Sequence, residues 1–155
     1  EDPVGILARL RGWIVEGGLL LVEVPNVEAR CLSPVHRFHF AHFYNFNCAT
    51  LEATGRKAGF EPLRTTTSPD GGNLIGVFRA GNPTPPSGSD FEGNYARVNG
   101  IVRGHTTARY YLSTAPYSGP IGRLRTYLKD RVATRGHETA RQVLDALIRT
   151  QAGTL

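Results

Sequence analysis

The chain has 155 residues, the size of one compact domain with a single core. With 40% hydrophobic and 20% charged residues, its composition argues against a disordered tail and against a membrane protein. The longest apolar run, residues 17–22, is far too short to span a bilayer. The formal charge of +5 is uneven: residues 1–93 hold eight Lys/Arg against ten Asp/Glu, a net of −2, and residues 94–155 hold ten against three, a net of +7.

Asp2-Pro3 is a helix-start signal, a capping carboxylate followed by proline at the first helical position. Val4, Leu7, Leu10 and Ile14 then recur at amphipathic spacing until Gly17-Gly18. Residues 19–24 are almost continuously apolar, as expected of a strand covered on both faces, and Pro25-Asn26 stops them. Residues 27–46 show no period and are rich in His, Phe and Tyr. Asn47 is placed to cap a helix over 48–58, with Gly59 as its stop. Phe60 to Thr67 and Leu74 to Phe78 read as strands joined by the Pro69-Asp70-Gly71-Gly72 turn, an antiparallel hairpin.

Residues 81–93 shift to Pro, Gly, Ser and Asn, a linker or long loop. Helices are expected over 94–112, 120–134 and 138–150, the last with Val143, Leu144, Leu147 and Ile148 on one face. The chain thus divides into an α/β part, 1–80, a linker, 81–93, and a basic helical extension, 94–155. Within 1–80, strand–helix–strand normally makes a right-handed crossover in a parallel sheet, to which the hairpin adds one antiparallel strand.

That order, with these residues, resembles the C-terminal half of a class I S-adenosylmethionine-dependent methyltransferase. Glu1-Asp2-Pro3 resembles the acidic-Asp-Pro segment after that family's fourth strand. LRGWIVEGGLLLVEVPN, residues 10–26, resembles its leader helix, Gly-Gly, fifth strand and Pro-Asn. His42-Phe43-Tyr44-Asn45-Phe46, Thr50-Leu51 and Ala58-Gly59-Phe60 resemble the segments that follow. The resemblance implies a partial Rossmann-like sheet, a parallel strand pair closed by an antiparallel last strand. It also implies that S-adenosylmethionine is held mainly by an N-terminal half that these residues do not match. No G-x-G-x-x-G-like loop follows a strand here, so no residue of this chain is assigned to the cofactor.

The densest polar cluster is His36-Arg37-Phe38-His39-Phe40-Ala41-His42-Phe43-Tyr44. In open α/β sheets, ligands bind beyond the C-terminal ends of parallel strands, where the loop after Asn26 begins. Methyl transfer needs alignment of nucleophile and methyl carbon, and a hydroxyl or carbon nucleophile must also lose a proton. Histidine suits that role, so His42, which falls on the family's recurrent histidine, is the first catalytic candidate and His39 the second. Glu23, Asn26, His36 and Tyr44 are substrate-binding candidates. Arg109, on a basic stretch with Arg103, His105, Tyr110 and Tyr111, is another, suited to a phosphate or sugar-phosphate group. Against these stand plain structural roles: packed or loop-bonded histidines, a turn asparagine, solvated arginines. The three-residue histidine spacing raises a metal site, but no cysteine completes a zinc pattern and none is assigned.

The expected function is the substrate side of a methyltransferase with a small-molecule or sugar-linked acceptor, inactive without its other half. The alternatives are a non-catalytic module that pairs with a separate chain, or associates with itself, through an exposed edge of the 19–24 strand, and, third, a basic nucleic-acid-binding protein. Cys31 and Cys48 are too few for a disulfide scaffold and no signal peptide is apparent, so a cytoplasmic setting without membrane contact is expected. The opening Glu1-Asp2-Pro3 and the lack of any methionine lead to the expectation of a fragment or processed chain.

Overall fold

The computed structural model describes residues 2–39, 41–133 and 141. The chain divides into two compact units, Glu1–Pro116 and Tyr117–Leu155. In the first, helix α1 (Pro3–Arg11) leads to strand β1 (Leu19–Pro25), and helix α2 (Cys48–Lys57) to the hairpin β2 (Phe60–Thr67) and β3 (Asn73–Ala80). Helices α3 (Asn94–Gly104) and α4 (Thr107–Tyr111) follow.

Local chemistry sets the helix ends. The Asp2 side chain accepts from Val4 N–H at 3.0 Å, with Pro3 in the first turn. α1 stops at Arg11, earlier than its periodicity suggests, and Ile14 reaches the core from the turn beyond it. Arg11 then fastens that turn, donating to the Gly59 carbonyl at 3.1 Å and the Ile14 carbonyl at 3.2 Å and pairing with Glu16. Asn47 is 2% exposed and makes a reciprocal capping box with Thr50, a device worth about 1 kcal/mol. Gly59, at φ +85°, supplies the left-handed residue that ends α2.

The sheet corrects the expected parallel pair. Its order is β1-β3-β2, and β3 is antiparallel to both neighbours. β1 and β2 therefore run in the same direction but never pair, because the returning hairpin strand lies between them. Burial explains why β3 takes the centre. Leu74, Gly76, Phe78 and Ala80 are all buried, whereas β2 carries Pro62, a register irregularity and exposed Arg64. A strand with proline and polar residues suits an edge. What remains shown is a mixed α/β unit with a three-stranded antiparallel sheet.

One face of that sheet holds the core: Leu7, Leu51, Ala58, Phe60, Leu74, Phe78 and Ala80, with Leu20, Val22 and Val24 packed against them. The alternation sends Leu19 and Leu21 to the other face, where they are 64% and 69% exposed. The expectation that 19–24 is covered on both faces thus fails for one of them. β1 is also an edge strand among the described residues. Ala80 N–H donates to the Gly18 carbonyl and Asn26 N–H to the Gly72 carbonyl, so the backbone groups of Leu19, Leu21 and Glu23, out of phase with these, point away from β3.

The expected helix over 94–112 breaks at His105. Thr106 accepts from Arg109 N–H at 3.3 Å and starts α4 afresh. The 81–93 stretch is anchored to the helical layer: Ser87 and Asp90 form a capping box and Asp90 pairs with Arg56 of α2 at 3.7 Å. Both α3 and α4 belong to the unit that holds the sheet. Helix α5 (Ala115–Ala133) covers the described part, 120–133, of the helix expected over 120–134; Ile121, Leu124, Leu128 and Val132 form an exposed apolar stripe beside Arg125 and Lys129. The helix expected over 138–150 lies outside the described residues except at Arg141. No described helix is long and apolar enough to cross a membrane.

Candidate functional site

A cleft of about 440 Å³ opens beyond the C-terminal end of β1, between the 26–46 loop and the β2–β3 turn. The loop is tied at its base. Val27 N–H donates to the Phe46 carbonyl at 2.8 Å and Phe46 N–H to the Pro25 carbonyl at 2.9 Å, a short parallel bridge on the edge of β1. Asn26 joins loop to turn: its N–H reaches the Gly72 carbonyl, its Nδ2 the Gly71 carbonyl, and its Oδ1 accepts from Glu28 N–H, each at 2.9 Å.

The turn is equally fixed. The Asp70 carboxylate accepts from Ser68 Oγ at 2.6 Å and Gly72 N–H at 2.9 Å. These two bonds hold its carboxyl below the usual carboxylate range. Gly71 adopts φ +76°. A β-carbon on Gly72 would lie 3.1 Å from Cys31 Sγ, so the loop meets the turn where there is no side chain. Burial first, and the Asp70 charge second, raise the Cys31 thiol, which makes it a poor nucleophile.

His36, His39 and His42 all line this cleft, with Asn26. His39 and His42 lie ring to ring at 5.6 Å, and His42 N–H donates to the His39 carbonyl at 2.9 Å. Ala41 N–H donates to His39 Nδ1 at 3.2 Å, which puts the proton of neutral His39 on Nε2. Glu23 stands just outside and accepts from Nδ2 of the lining Asn73 at 2.7 Å. Tyr44 does not line the cleft; its ring lies 6.5 Å from that of Phe46. Arg109 does not line it either, and donates instead to the Gly104 carbonyl at 3.1 Å, closing the end of α3.

Residues that sequence reasoning left out of the site also line it: Arg37, Cys31, Asn45, Asp70 and Asn73. Arg37 sat inside the His-rich cluster and Asp70 inside the turn motif, where it was read as turn chemistry alone. The basic stretch contributes from behind. Arg97 grips Glu28 at 2.9 Å, Asn94 accepts from Asn47 Nδ2 at 2.6 Å, and the Arg37 guanidinium donates to His105 Nδ1. His105 is buried, edge-on to Tyr110 at 5.9 Å, and its Nε2 has no hydrogen-bond partner among the described residues. Among the described residues, no three His, Cys, Asp or Glu side chains group as metal ligands.

His105 predicts a pH dependence. Burial, and then the charges of Arg37 and Arg30, lower its pKa in the folded state. Below the ordinary histidine value of about 6.5 the unfolded chain takes up this proton and the folded chain does not, so acidification removes stability. The urea midpoint of the wild type is expected to fall more steeply than that of His105→Gln as pH drops below that value toward the lowered one. Parallel pH profiles would contradict the assignment.

No protein-family model, curated protein or solved structure matches this chain.

Proposed function

We propose that this chain is the substrate-side half of an S-adenosylmethionine-dependent methyltransferase acting on a small-molecule or sugar-linked acceptor. The observation that carries the reading is the cleft beyond the C-terminal end of β1, where His36, His39 and His42 meet. The antiparallel last strand is in keeping with the resemblance on which the reading began. His42 takes the acceptor's proton: it lines the cleft, and its ring nitrogens make no hydrogen bond among the described residues. His39, whose Nδ1 is engaged by Ala41, orients the acceptor beside it.

The glycine-rich turn does not fit a cofactor-binding loop. The Gly71-Gly72 turn joins two antiparallel strands, and its N–H groups are spent on the Ser68 carbonyl and the Asp70 carboxylate. The cofactor belongs to the other half in this reading. The test is transfer of a labelled methyl group from S-adenosylmethionine, expected from the chain assembled with its cofactor-binding half. An assembly that binds the cofactor yet methylates no small-molecule or sugar-linked acceptor would overturn the reading.

Over residues 19–23 the outer edge of β1 has no partner strand among the described residues, which favours a second reading, a module that acts by pairing. Its unpaired backbone groups sit beside exposed Leu19 and Leu21, a combination that invites strand addition. The isolated chain is therefore expected to associate at tens of micromolar, to a degree reduced by Leu21→Lys. A sharp monomer boundary in sedimentation velocity would contradict this.

A further inference from the structure

The wall of the cleft holds a cation that has no counter-charge among the described residues. Arg37 lines the cleft and is half-buried. Its guanidinium is fixed at two points, donating to the Val27 carbonyl at 3.1 Å and to His105 Nδ1. Both partners are neutral. No carboxylate lies within ion-pair distance of it among the described residues, whose ion pairs join Arg11, Arg56, Arg79 and Arg97 to acids. Burial first, and the like charge of Arg30 second, lower the Arg37 pKa. Asp70, the one acid among the described residues of the cleft wall, is occupied by its own turn, through Ser68 and Gly72.

A partly buried, unpaired guanidinium is costly unless something negative offsets it. Here it is also pre-oriented, since the loop base holds one nitrogen and a buried imidazole holds another. The donors left over form part of a fork suited to an oxyanion. We infer that Arg37 is the anchor of an oxyanion site, so that the cleft takes a small molecule bearing a carboxylate or a phosphate group. His105 is a positioning residue that holds the guanidinium from behind. The inference rests on the reading of this cleft as the substrate site and names the acceptor's chemical class: anionic.

The test is titration of the full 155-residue chain with inorganic phosphate and, separately, with succinate, at constant ionic strength set with chloride. The histidine side-chain NMR signals of His36, His39 and His42 report binding. A saturable shift with phosphate alone assigns a phosphate group, one with succinate alone a carboxylate, and either supports the site. Arg37→Gln is expected to weaken that binding at least about tenfold. If circular dichroism shows that this variant unfolds, Arg37→Lys keeps the charge without the fork and is expected to bind several-fold more weakly than the wild type. No saturable shift with either anion, or unchanged affinity in the folded variant, would overturn the inference. Methyl transfer plays no part in this readout, so an assembled enzyme that fails to methylate would sink the methyltransferase reading and leave the oxyanion site standing.

Discussion

Phe78→Ala is expected to cost about 3–5 kcal/mol, the range for removing a fully buried aromatic side chain. Phe78 is 0% exposed and sits on β3, the strand that both other strands pair with. Its ring fills the space between α2 and the sheet at two positions that have no side chain of their own. A β-carbon at Gly55 would lie 2.4 Å from the ring, and one at Gly76 2.5 Å from it. The two glycines and the phenylalanine are therefore one packing unit, and truncating the ring leaves a cavity between them. Against a total stability of about 5–15 kcal/mol, that loss brings the unit close to unfolding. Urea denaturation followed by circular dichroism measures it, and a loss below about 1 kcal/mol would contradict the packing. The reverse change, Gly55→Val, drives methyl groups into the same ring and is expected to cost about 1–3 kcal/mol by overpacking.

The largest functional effect is expected at His42. If its imidazole removes the acceptor's proton, His42→Ala in the assembled enzyme lowers turnover by about 10²–10⁴-fold, the usual contribution of a positioned general base. The loss should fall on turnover rather than on substrate affinity, because the group acts on the proton in flight. His39→Ala is expected to be milder, since His39 Nδ1 is already committed to Ala41 N–H. His42 is an exposed side chain on the cleft wall, so its removal leaves the core untouched and a fall in rate is not a fall in folding. Unchanged turnover in the His42 variant would remove it from the mechanism.

Much of the local architecture was legible in the chain because it depends on neighbours in sequence. Asp2-Pro3 opens α1, Asn47 caps α2, Gly59 ends it, and the Asp70-Gly71-Gly72 turn folds β2 back on β3, as their residue types imply. The order of the sheet was not legible. A hairpin fixes only that β2 and β3 are adjacent; whether β1 joins β2 or β3 is decided by which strand has an apolar edge and face to offer it. Nor does an apolar run such as LLLV say how many of its faces are covered, and here Leu19 and Leu21 are exposed on one. Within the site, the histidine cluster stood out by density alone and its three histidines do share a cleft. Arg37 and His105 are 68 residues apart, and only tertiary structure shows that the basic stretch reaches back to brace the loop. Arg109 drew attention by its charge, but its nearest need is local: a carbonyl at the end of α3.

The most direct measurement is calorimetric titration of S-adenosylmethionine into the 155-residue chain, shown to be folded by circular dichroism, and into the same chain assembled with the cofactor-binding half that the proposed function requires. No binding heat is expected from the chain alone, and saturable micromolar binding is expected from the assembly. Micromolar binding by the chain alone would mean that residues assigned here to the sheet and the cleft wall build the cofactor site, and would contradict the division of labour on which the proposed function depends.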